Sequence, residues 1–181
     1  MIGAILTVAI PTFNRADLLG IALQSLAEQD AEPEGWRVLV VDNNCTDQTA
    51  VQVSTMATKW PRLSLVSEPR QGLSHARNRA LACCNSGWLL FVDDECTFPP
   101  GYVARALTIV RERRPLVFGG PIRPWYQKPP PAWFRPEYGS FSLPWATGRS
   151  NRIFLSGGNN FARREVSERG RNTAFRTHTG S

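Results

Sequence analysis

The sequence predicts an α/β protein, a three-layer α/β/α sandwich around a mostly parallel sheet. Four apolar, β-rich segments each precede an amphipathic segment between residues 4 and 113, and this alternation is typical of parallel sheets with helices on both faces. The apolar segments are nearly continuous, as expected of strands that are covered on both sides. Two of them run directly into acidic residues, Asp42 and Asp93, at the strand ends where such sheets collect ligands.

Apolar runs with little internal charge predict the strands. Pro11 is expected to end the first of them, because proline has no N–H to give to a ladder. The first four strands are expected at residues 4–10, 37–41, 63–66 and 88–92. Two further short strands are expected at residues 116–120 and 153–155.

Amphipathic segments with recognisable start and stop residues predict four helices. Polar side chains are expected to cap the first two helices, and prolines to occupy the first turn of the fourth. The expected limits are Asn14 to Pro33, Thr46 or Asp47 to Lys59, Leu73 to Cys84, and Tyr102 to Arg113 after Pro99 and Pro100.

The composition is that of one globular domain. The chain has 181 residues, of which 42% are hydrophobic and 20% charged, enough for one well-buried core. We therefore expect a single domain over residues 1–181. Its character changes after residue 120, because seven prolines and three tryptophans fall between residues 121 and 145. This stretch is expected to form a long loop, either a stacking platform for sugar rings or an acyl chain, or a cover over the sheet with some tryptophans buried.

The charge and the cysteines limit the partners and the compartment. The net charge of +6 suits polyanions, which include nucleic acid, anionic lipid surfaces and nucleotide diphosphates. The arginines form no continuous block and do not interleave with aromatic residues, so we expect no nucleic acid partner. Cys45, Cys83, Cys84 and Cys96 lack metal-binding or disulfide spacing, and free thiols suit a reducing cytosol. With no signal peptide or apolar run of membrane length in the sequence, a cytoplasmic location is expected.

An acidic cluster follows the fourth predicted strand. Asp93, Asp94 and Glu95 come directly after five apolar residues. Three adjacent carboxylates repel one another unless a cation or hydrogen-bond donors offset their charge. One interpretation is a divalent cation held by oxygen ligands; the alternative is a solvated acidic turn that leads into the next helix. The cluster by itself leaves both open.

Four short segments give the sequence a resemblance to a known family. In chain order they read VAIPTFNR at 8–15, VVDNNCTD at 40–47, GLSHARN at 72–78 and FVDDE at 91–95. In this order they resemble the nucleotide-diphospho-sugar glycosyltransferases of family 2, which have the GT-A fold. The resemblance covers about residues 4–166. It implies a GT-A-like sheet, with residues 1–120 as the nucleotide-binding half and 121–181 as an acceptor-side part.

The resemblance implies that a nucleotide-diphospho-sugar donor binds at the strand ends. The residues that it implies for the donor are Pro11, Thr12, Phe13, Arg15, Asp42, Asn43, Arg77, Asp93 and Asp94. Three of them have a simpler alternative: Phe13 packs in the core, Asp42 caps the turn that follows it, and Arg77 is a plain surface arginine. The acceptor-side residues that it implies are Gly157, Gly158 and Asn159.

The resemblance also implies a divalent cation, Mn²⁺ or Mg²⁺. In the family's Asp-x-Asp motif the first acid contacts the ribose and the last coordinates the metal. Here the implied metal ligands are Asp93 and Glu95, and the glutamate stands where an aspartate is usual. Its extra methylene moves the carboxylate by about 1.5 Å, so the identity of the ion stays open.

An inverting transferase of this kind needs a carboxylate general base. In the family this base belongs to an acidic pair that follows the acceptor-side glycine turn, which corresponds here to Gly157, Gly158 and Asn159. After Asn160 the only acids are Glu165 and Glu168, and both come too early for that pair. We therefore expect a C-terminally truncated transferase whose sandwich is incomplete at that end, with the catalytic base unknown. The alternatives are a diverged base at Glu168 and a base from another chain.

Three functions remain after these observations. The first is transfer of a sugar to a polysaccharide, lipid-linked or protein acceptor, with peripheral association at the cytoplasmic face of a membrane. The second is a truncated, non-catalytic module that binds nucleotide-sugar. The third, a nucleotidyltransferase, normally has a glycine-rich basic loop after the first strand, and Pro11 to Arg15 lacks one.

Overall fold

A computed structural model describes residues 4–123, 126, 128–135 and 160–169, with the backbone alone at 160 and 167–169. The strands are β1 (Leu6–Thr12), β2 (Trp36–Asp42), β3 (Leu63–Ser67), β4 (Trp88–Phe91), β5 (Val117–Gly119) and β6 (Asn160–Arg163). The helices are α1 (Ala16–Ala27), α2 (Thr49–Lys59), α3 (Leu73–Cys83), α4 (Tyr102–Glu112) and α5 (Arg164–Arg169), with a 3₁₀ turn at Pro33–Gly35.

The six strands form one mixed sheet in the order β3-β2-β1-β4-β6-β5. The first four strands are parallel, whereas β6 runs antiparallel to both β4 and β5. The chain moves outward from β1 to β3 and then returns to place β4 on the other side of β1. The direction of winding therefore reverses between β1 and β4, and in an α/β sheet a crevice opens there at the carboxyl ends of the strands.

Helices cover both faces of this sheet, as the sequence predicts. On one face, alternate strand residues pack against α1, α2 and α4 in a core that includes Ile10, Leu23 and Leu107. On the other face, Ala9, Leu89 and their neighbours pack against the small residues of α3. Burial of these apolar surfaces is the main driving force for a sandwich of this kind, and the three-layer α/β prediction is confirmed.

The prediction that Pro11 ends the first strand is wrong, because β1 continues to Thr12. Val92 N donates to Ala9 O at 3.1 Å, and Asn43 N donates to Thr12 O at 3.0 Å. Backbone groups alternate between the two sides of a parallel strand, so Pro11 points its nitrogen toward β4, whose pairing with β1 has ended. The missing N–H therefore costs no ladder hydrogen bond.

The predicted cap of the first helix is also wrong, and the structure uses a residue from elsewhere. The helix α1 begins after Arg15 without a cap from its own segment, and Asn14 Oδ1 instead accepts from Thr46 N at 2.7 Å. Asp47 serves both helix starts: Oδ2 accepts from Ala16 N and Oδ1 from Thr49 N, each at 3.0 Å. One carboxylate therefore joins the start of α1 to the start of α2.

The fourth helix and the stretch after β5 depart from the sequence predictions in smaller ways. Pro99 and Pro100 precede α4 rather than lie in its first turn, since α4 begins at Tyr102 after Gly101. Trp133 is 74% exposed, so the expected burial of tryptophans does not hold there. Trp125 and Trp145, and the strand predicted at 153–155, lie outside the described residues.

Strand β6 (Asn160–Arg163) is absent from the strands that the sequence predicts. Phe161 in this strand is buried, and its ring stacks on Phe118 with centroids 4.0 Å apart and an interplanar angle of 11°. Tyr102 lies next in line, 6.1 Å from the Phe161 centroid. This row of rings fastens β6 to β5 and to α4.

Within the part of the chain that the structure describes, no helix has both the length and the apolarity to cross a membrane.

The burial of Phe161 leads to a test of β6. We expect Phe161→Ala to lower the free energy of unfolding by about 3–5 kcal/mol, because it removes a buried ring and leaves a cavity. Trp133→Ala, at an exposed ring, should change it by no more than about 0.5 kcal/mol. Urea titrations followed by circular dichroism measure both, and equal effects of the two variants would contradict the placement of β6 in the core.

Candidate functional site

The carboxyl ends of β1, β2 and β4 meet at the point where the winding of the sheet reverses. Thr12 ends β1, Asp42 ends β2, and Asp93 lies just beyond the end of β4. The start of α3 brings Arg77 to the same edge, where its guanidinium nitrogen lies 3.8 Å from an Asp93 oxygen. The structure therefore gathers acids and arginines, which the chain carries far apart, at one edge of the sheet.

The middle acid of the cluster, Asp94, points into the protein. Its side chain is 8% exposed, and its Oδ2 accepts from the Thr12 hydroxyl at 2.7 Å. An Arg15 nitrogen approaches the other oxygen at 3.4 Å. Burial raises the pKa of Asp94, although the hydrogen bond from Thr12 and the charge of Arg15 oppose this rise. Asp94 thus joins the end of β4 to the end of β1.

The two outer acids point toward solvent. The Glu95 side chain is 59% exposed, and its Oε2 accepts from Arg15 at 2.8 Å. The Asp93 side chain is about half exposed and lies near Arg77. The three adjacent carboxylates therefore do not form a plain solvated turn: each has a donor or a cation beside it, which reduces their mutual repulsion.

Arg77 is not a plain surface arginine. Its side chain is 15% exposed, and its guanidinium carbon lies 5.8 Å from the centre of the Phe91 ring, a cation–π distance. Burial lowers the pKa of Arg77, and the nearby Asp93 carboxylate works against this shift. Since an arginine remains charged at any physiological pH, the site carries a fixed, partly buried positive charge.

Asp42 has one occupied oxygen and one open oxygen. Its Oδ1 accepts from Cys45 N at 2.7 Å, which is the turn-capping role of the simpler alternative. Among the described residues, no N–H or O–H group donates to its Oδ2. The Cys45 thiol lies beside this carboxylate, and its pKa is raised first by burial and then by Asp42. Phe13 is exposed rather than packed in the core, so this ring is free to contact a ligand. Pro11 is buried within β1 and shapes the strand end from inside.

Asn43 holds the loop that leads into α3. The residue is buried, and its Nδ2 donates to the carbonyls of Glu68 and Arg70 at 3.2 and 2.7 Å. Its Oδ1 accepts from Gly72 N at 2.7 Å. Gly72 has a φ of 136°, a conformation that a side chain would strain. The Asn43 side-chain amide is fully used in hydrogen bonds to this loop. Asn43 therefore positions the start of α3, and with it Arg77.

The sequence analysis missed Glu68 and Arg70. Burial opposes ionisation of Glu68, but its carboxylate accepts from Arg70 N, Nε and one terminal nitrogen at 3.1, 2.9 and 3.2 Å. The hydrogen bonds from Arg70 hold the pKa of Glu68 at about 2, below its ordinary value of 4.5. The signal in the sequence is an acid at a strand end with an arginine two residues later.

The acceptor-side residues that the sequence analysis names, Gly157, Gly158 and Asn159, lie outside the described residues. The helix α5 starts at the edge opposite the acids, because Arg164 N donates to Gly87 O, just before β4 begins. Glu165 is exposed there, 3.9 Å from Arg163. Glu168 belongs to the same short helix, where only its backbone is described, and a base at this residue stays a prediction.

The side chains at the site that could coordinate a metal fit a divalent cation only in part. Across the described ranges, no three His, Cys, Asp or Glu side chains come close enough together to form a metal site. Asp93 and Glu95 nevertheless present two exposed, hard oxygen ligands at the strand end. Mg²⁺ is commonly held by one or two carboxylates together with substrate phosphates rather than by a cage of protein ligands. These two residues fit a cation that arrives with a diphosphate.

The bond between Thr12 and Asp94 leads to a stability prediction. We expect Thr12→Val to lower the free energy of unfolding by about 1.5–3 kcal/mol at pH 7, because the buried carboxylate loses a donor. Thr12→Ser keeps the hydroxyl and is the matched control, with a smaller loss. Urea unfolding of both variants measures the difference, and equal stabilities would show that the hydroxyl has no such role.

The lowered pKa of Glu68 leads to a pH prediction. Its stabilising effect is present above pH 4.5 and is lost as the pH falls toward about 2. We expect Glu68→Gln to be less stable than the wild type above pH 4.5, with a difference that shrinks toward pH 2. Unfolding at a series of pH values tests this, with exposed Glu112→Gln as the control for loss of one acid. A difference independent of pH would contradict the prediction.

Comparison with known proteins shows which protein family the chain is similar to. A sequence profile of Glycosyl transferase family 2 matches residues 7–171. The succinoglycan biosynthesis protein ExoM of Rhizobium meliloti is 29% identical over 144 residues, 78% of this chain and 46% of that protein. A PGL/p-HBAD biosynthesis glycosyltransferase of Mycobacterium bovis is 29% identical over 126 residues, 67% of this chain and 48% of that protein.

Solved structures of similar fold include S. aureus TarS 1-349, with a TM-score of 0.71 and 23% identity over 97% of this chain and 51% of that one. The mannosyltransferase PcManGT from Pyrobaculum calidifontis, in complex with GDP-Man and Mn²⁺, has a TM-score of 0.69 and 24% identity over 92% of this chain and 46% of that one. These likenesses confirm the GT-A-like fold. The chain spans about half the length of the relatives it matches. Because the family profile covers most of the chain, this protein belongs to glycosyl transferase family 2.

Proposed function

We propose that the chain is the donor-binding part of an inverting glycosyltransferase that uses a nucleotide-diphospho-sugar and a divalent cation. The observation that carries this proposal is the meeting of Asp42, Arg77 and the Asp93–Glu95 cluster at the reversal point of the sheet. An open carboxylate oxygen, a fixed positive charge and two exposed oxygen ligands are the groups that a nucleoside, a diphosphate and its cation require. The acceptor would be a polysaccharide, a lipid-linked saccharide or a protein.

Each group has a place in this proposal. The open Oδ2 of Asp42 would accept from base or ribose donors, and the exposed Phe13 ring would contact the base. Arg77 would face the diphosphate, held there by the loop that Asn43 anchors. Asp93 and Glu95 would hold the cation, which when bound offsets the charge of the diphosphate and stabilises the nucleotide as a leaving group.

The neighbours support a nucleotide-sugar donor without naming it. TarS has been solved with UDP-GlcNAc, and PcManGT with GDP-Man and Mn²⁺. The two neighbours were solved with different nucleotides and sugars, so the identity of the base is left to binding measurements. Either nucleotide would present the same diphosphate to Arg77 and to the cation.

Turnover needs a carboxylate base near the acceptor hydroxyl. Of the acids after residue 160, Glu165 has a described side chain, and it lies at the opposite edge of the sheet. This observation keeps a second candidate function: a module that binds nucleotide-sugar without transferring it. Release of UDP or GDP from the sugar nucleotide distinguishes the two, since a binding module releases none.

We propose a cytoplasmic location, with peripheral association at the cytoplasmic face of a membrane. The four cysteines are free, which suits a reducing compartment. The net charge of +6 suits the anionic surface of that face. Fractionation of cells that express the protein, with and without a salt wash, tests both statements.

The donor site is tested by calorimetric titration with UDP and with GDP, each in the presence of Mn²⁺. We expect one of them to bind, and Asp42→Ala to weaken that binding about tenfold or more through loss of a base or ribose contact. Asp30→Ala removes an exposed acid beyond the end of α1, at the opposite edge of the sheet, and should leave the affinity unchanged. If folded protein binds neither nucleotide, the proposed function is wrong.

A further inference from the structure

We propose that Arg15 is an internal counter-ion of the acidic cluster, which a divalent cation must displace from Glu95. This inference rests on the proposed function, because it concerns the same site. It adds a residue that controls when the cation binds.

Arg15 stands between two carboxylates of the cluster, and one of them, Glu95, is a residue that would hold the cation. A single guanidinium nitrogen lies 2.8 Å from Glu95 Oε2 and 3.4 Å from Asp94 Oδ1. The longer glutamate side chain at 95 makes this bridge, because it brings its carboxylate to the arginine. One oxygen of the Glu95 carboxylate therefore already has a positive charge beside it.

The hydrogen bond between Thr12 and Asp94 and the ion pair between Arg15 and Glu95 differ in how easily they break. Thr12 and Asp94 are both buried, so their hydrogen bond is part of the packed end of the sheet. Arg15 and Glu95 are half exposed or more, and ion pairs exposed to solvent contribute little to stability. The arginine side chain can therefore leave while the backbone of Arg15, whose carbonyl accepts from Leu19 N at 2.9 Å, stays in the first turn of α1.

Release of Arg15 would couple the cation to the diphosphate. A cation alone must displace the guanidinium from Glu95 and gains only two protein ligands. When a nucleoside diphosphate is also present, the displaced guanidinium has a new anionic partner within reach. Each ligand then strengthens the binding of the other, and the coupling factor is the same in both directions. Without Arg15 the cation should bind more tightly by itself and depend less on the nucleotide.

The test measures Mn²⁺ affinity, by electron paramagnetic resonance of free Mn²⁺, with and without UDP or GDP. We expect Arg15→Gln to bind Mn²⁺ alone about three- to tenfold more tightly than the wild type, from the loss of a competing ion pair and a nearby positive charge. The increase in affinity caused by the nucleotide should be smaller in this variant. Arg15→Lys keeps the charge and should stay near the wild type. Arg79→Gln removes an exposed arginine elsewhere on α3 and should not tighten binding.

The outcomes separate this inference from the proposed function. Equal Mn²⁺ affinity in wild type and Arg15→Gln, with nucleotide binding intact, would overturn the counter-ion role and leave the function standing. The same holds if Arg79→Gln tightens binding as much as Arg15→Gln, because the effect would then be one of net charge. If no variant binds Mn²⁺ under any condition, both the counter-ion role and the metal site are wrong.

Discussion

The placement of negative charge at the reversal point of the sheet is the constraint on which the site depends. Three consecutive acids follow β4, and their repulsion has to be offset before any ligand arrives. The protein meets this constraint by turning the middle acid inward to a hydroxyl on β1 and the outer acids toward arginines. Asp94 thereby serves the fold, while Asp93 and Glu95 stay open to a ligand. The division arises in the turn that follows β4, where Cys96 N donates to Asp93 O at 3.1 Å and the chain changes direction at Asp94 and Glu95.

The neighbouring loops are ordered by the same use of polar side chains as structural ties. Asn43 saturates its amide with backbone groups of the loop before α3, and Asp47 saturates its carboxylate with two helix starts. Asn43 is buried, and a buried polar group with all its bonds made rigidifies its surroundings. Asp47 is exposed and acts as a cap of the two helix starts. Asp42 and the two outer acids keep carboxylate oxygens that can accept further hydrogen bonds. The loops around them are held in place by these ties, so a ligand would need to order little of the backbone.

The sequence predicts the layers of this fold because they depend on long apolar runs and amphipathic segments, which are local features. It fails where the deciding partner is distant in the chain. Pro11 lies inside β1 because of where β4 stops pairing, and α1 is capped by Asp47 from another segment. Strand β6 has one large apolar residue, Phe161, so its pattern is too weak to see without β4 and β5 beside it. In the site, the order of the four sequence motifs predicts that Asp42, Arg77 and the acids belong together. The inward orientation of Asp94 and the hydrogen bonds of Asn43 to the loop before α3 depend on tertiary contacts.

The insertion of β6 between β4 and β5 has a consequence for how the chain acquires its structure. Strand β5 is made first, yet β6 is the strand that it pairs with. During synthesis the four parallel strands can assemble while the outer edge of β4 waits for a segment that follows α4 and the proline-rich stretch. An uncovered strand edge is a template for pairing with another chain. Until Asn160–Arg163 has been made, the edge of β4 is therefore uncovered, and a partly synthesised chain can pair there with another chain.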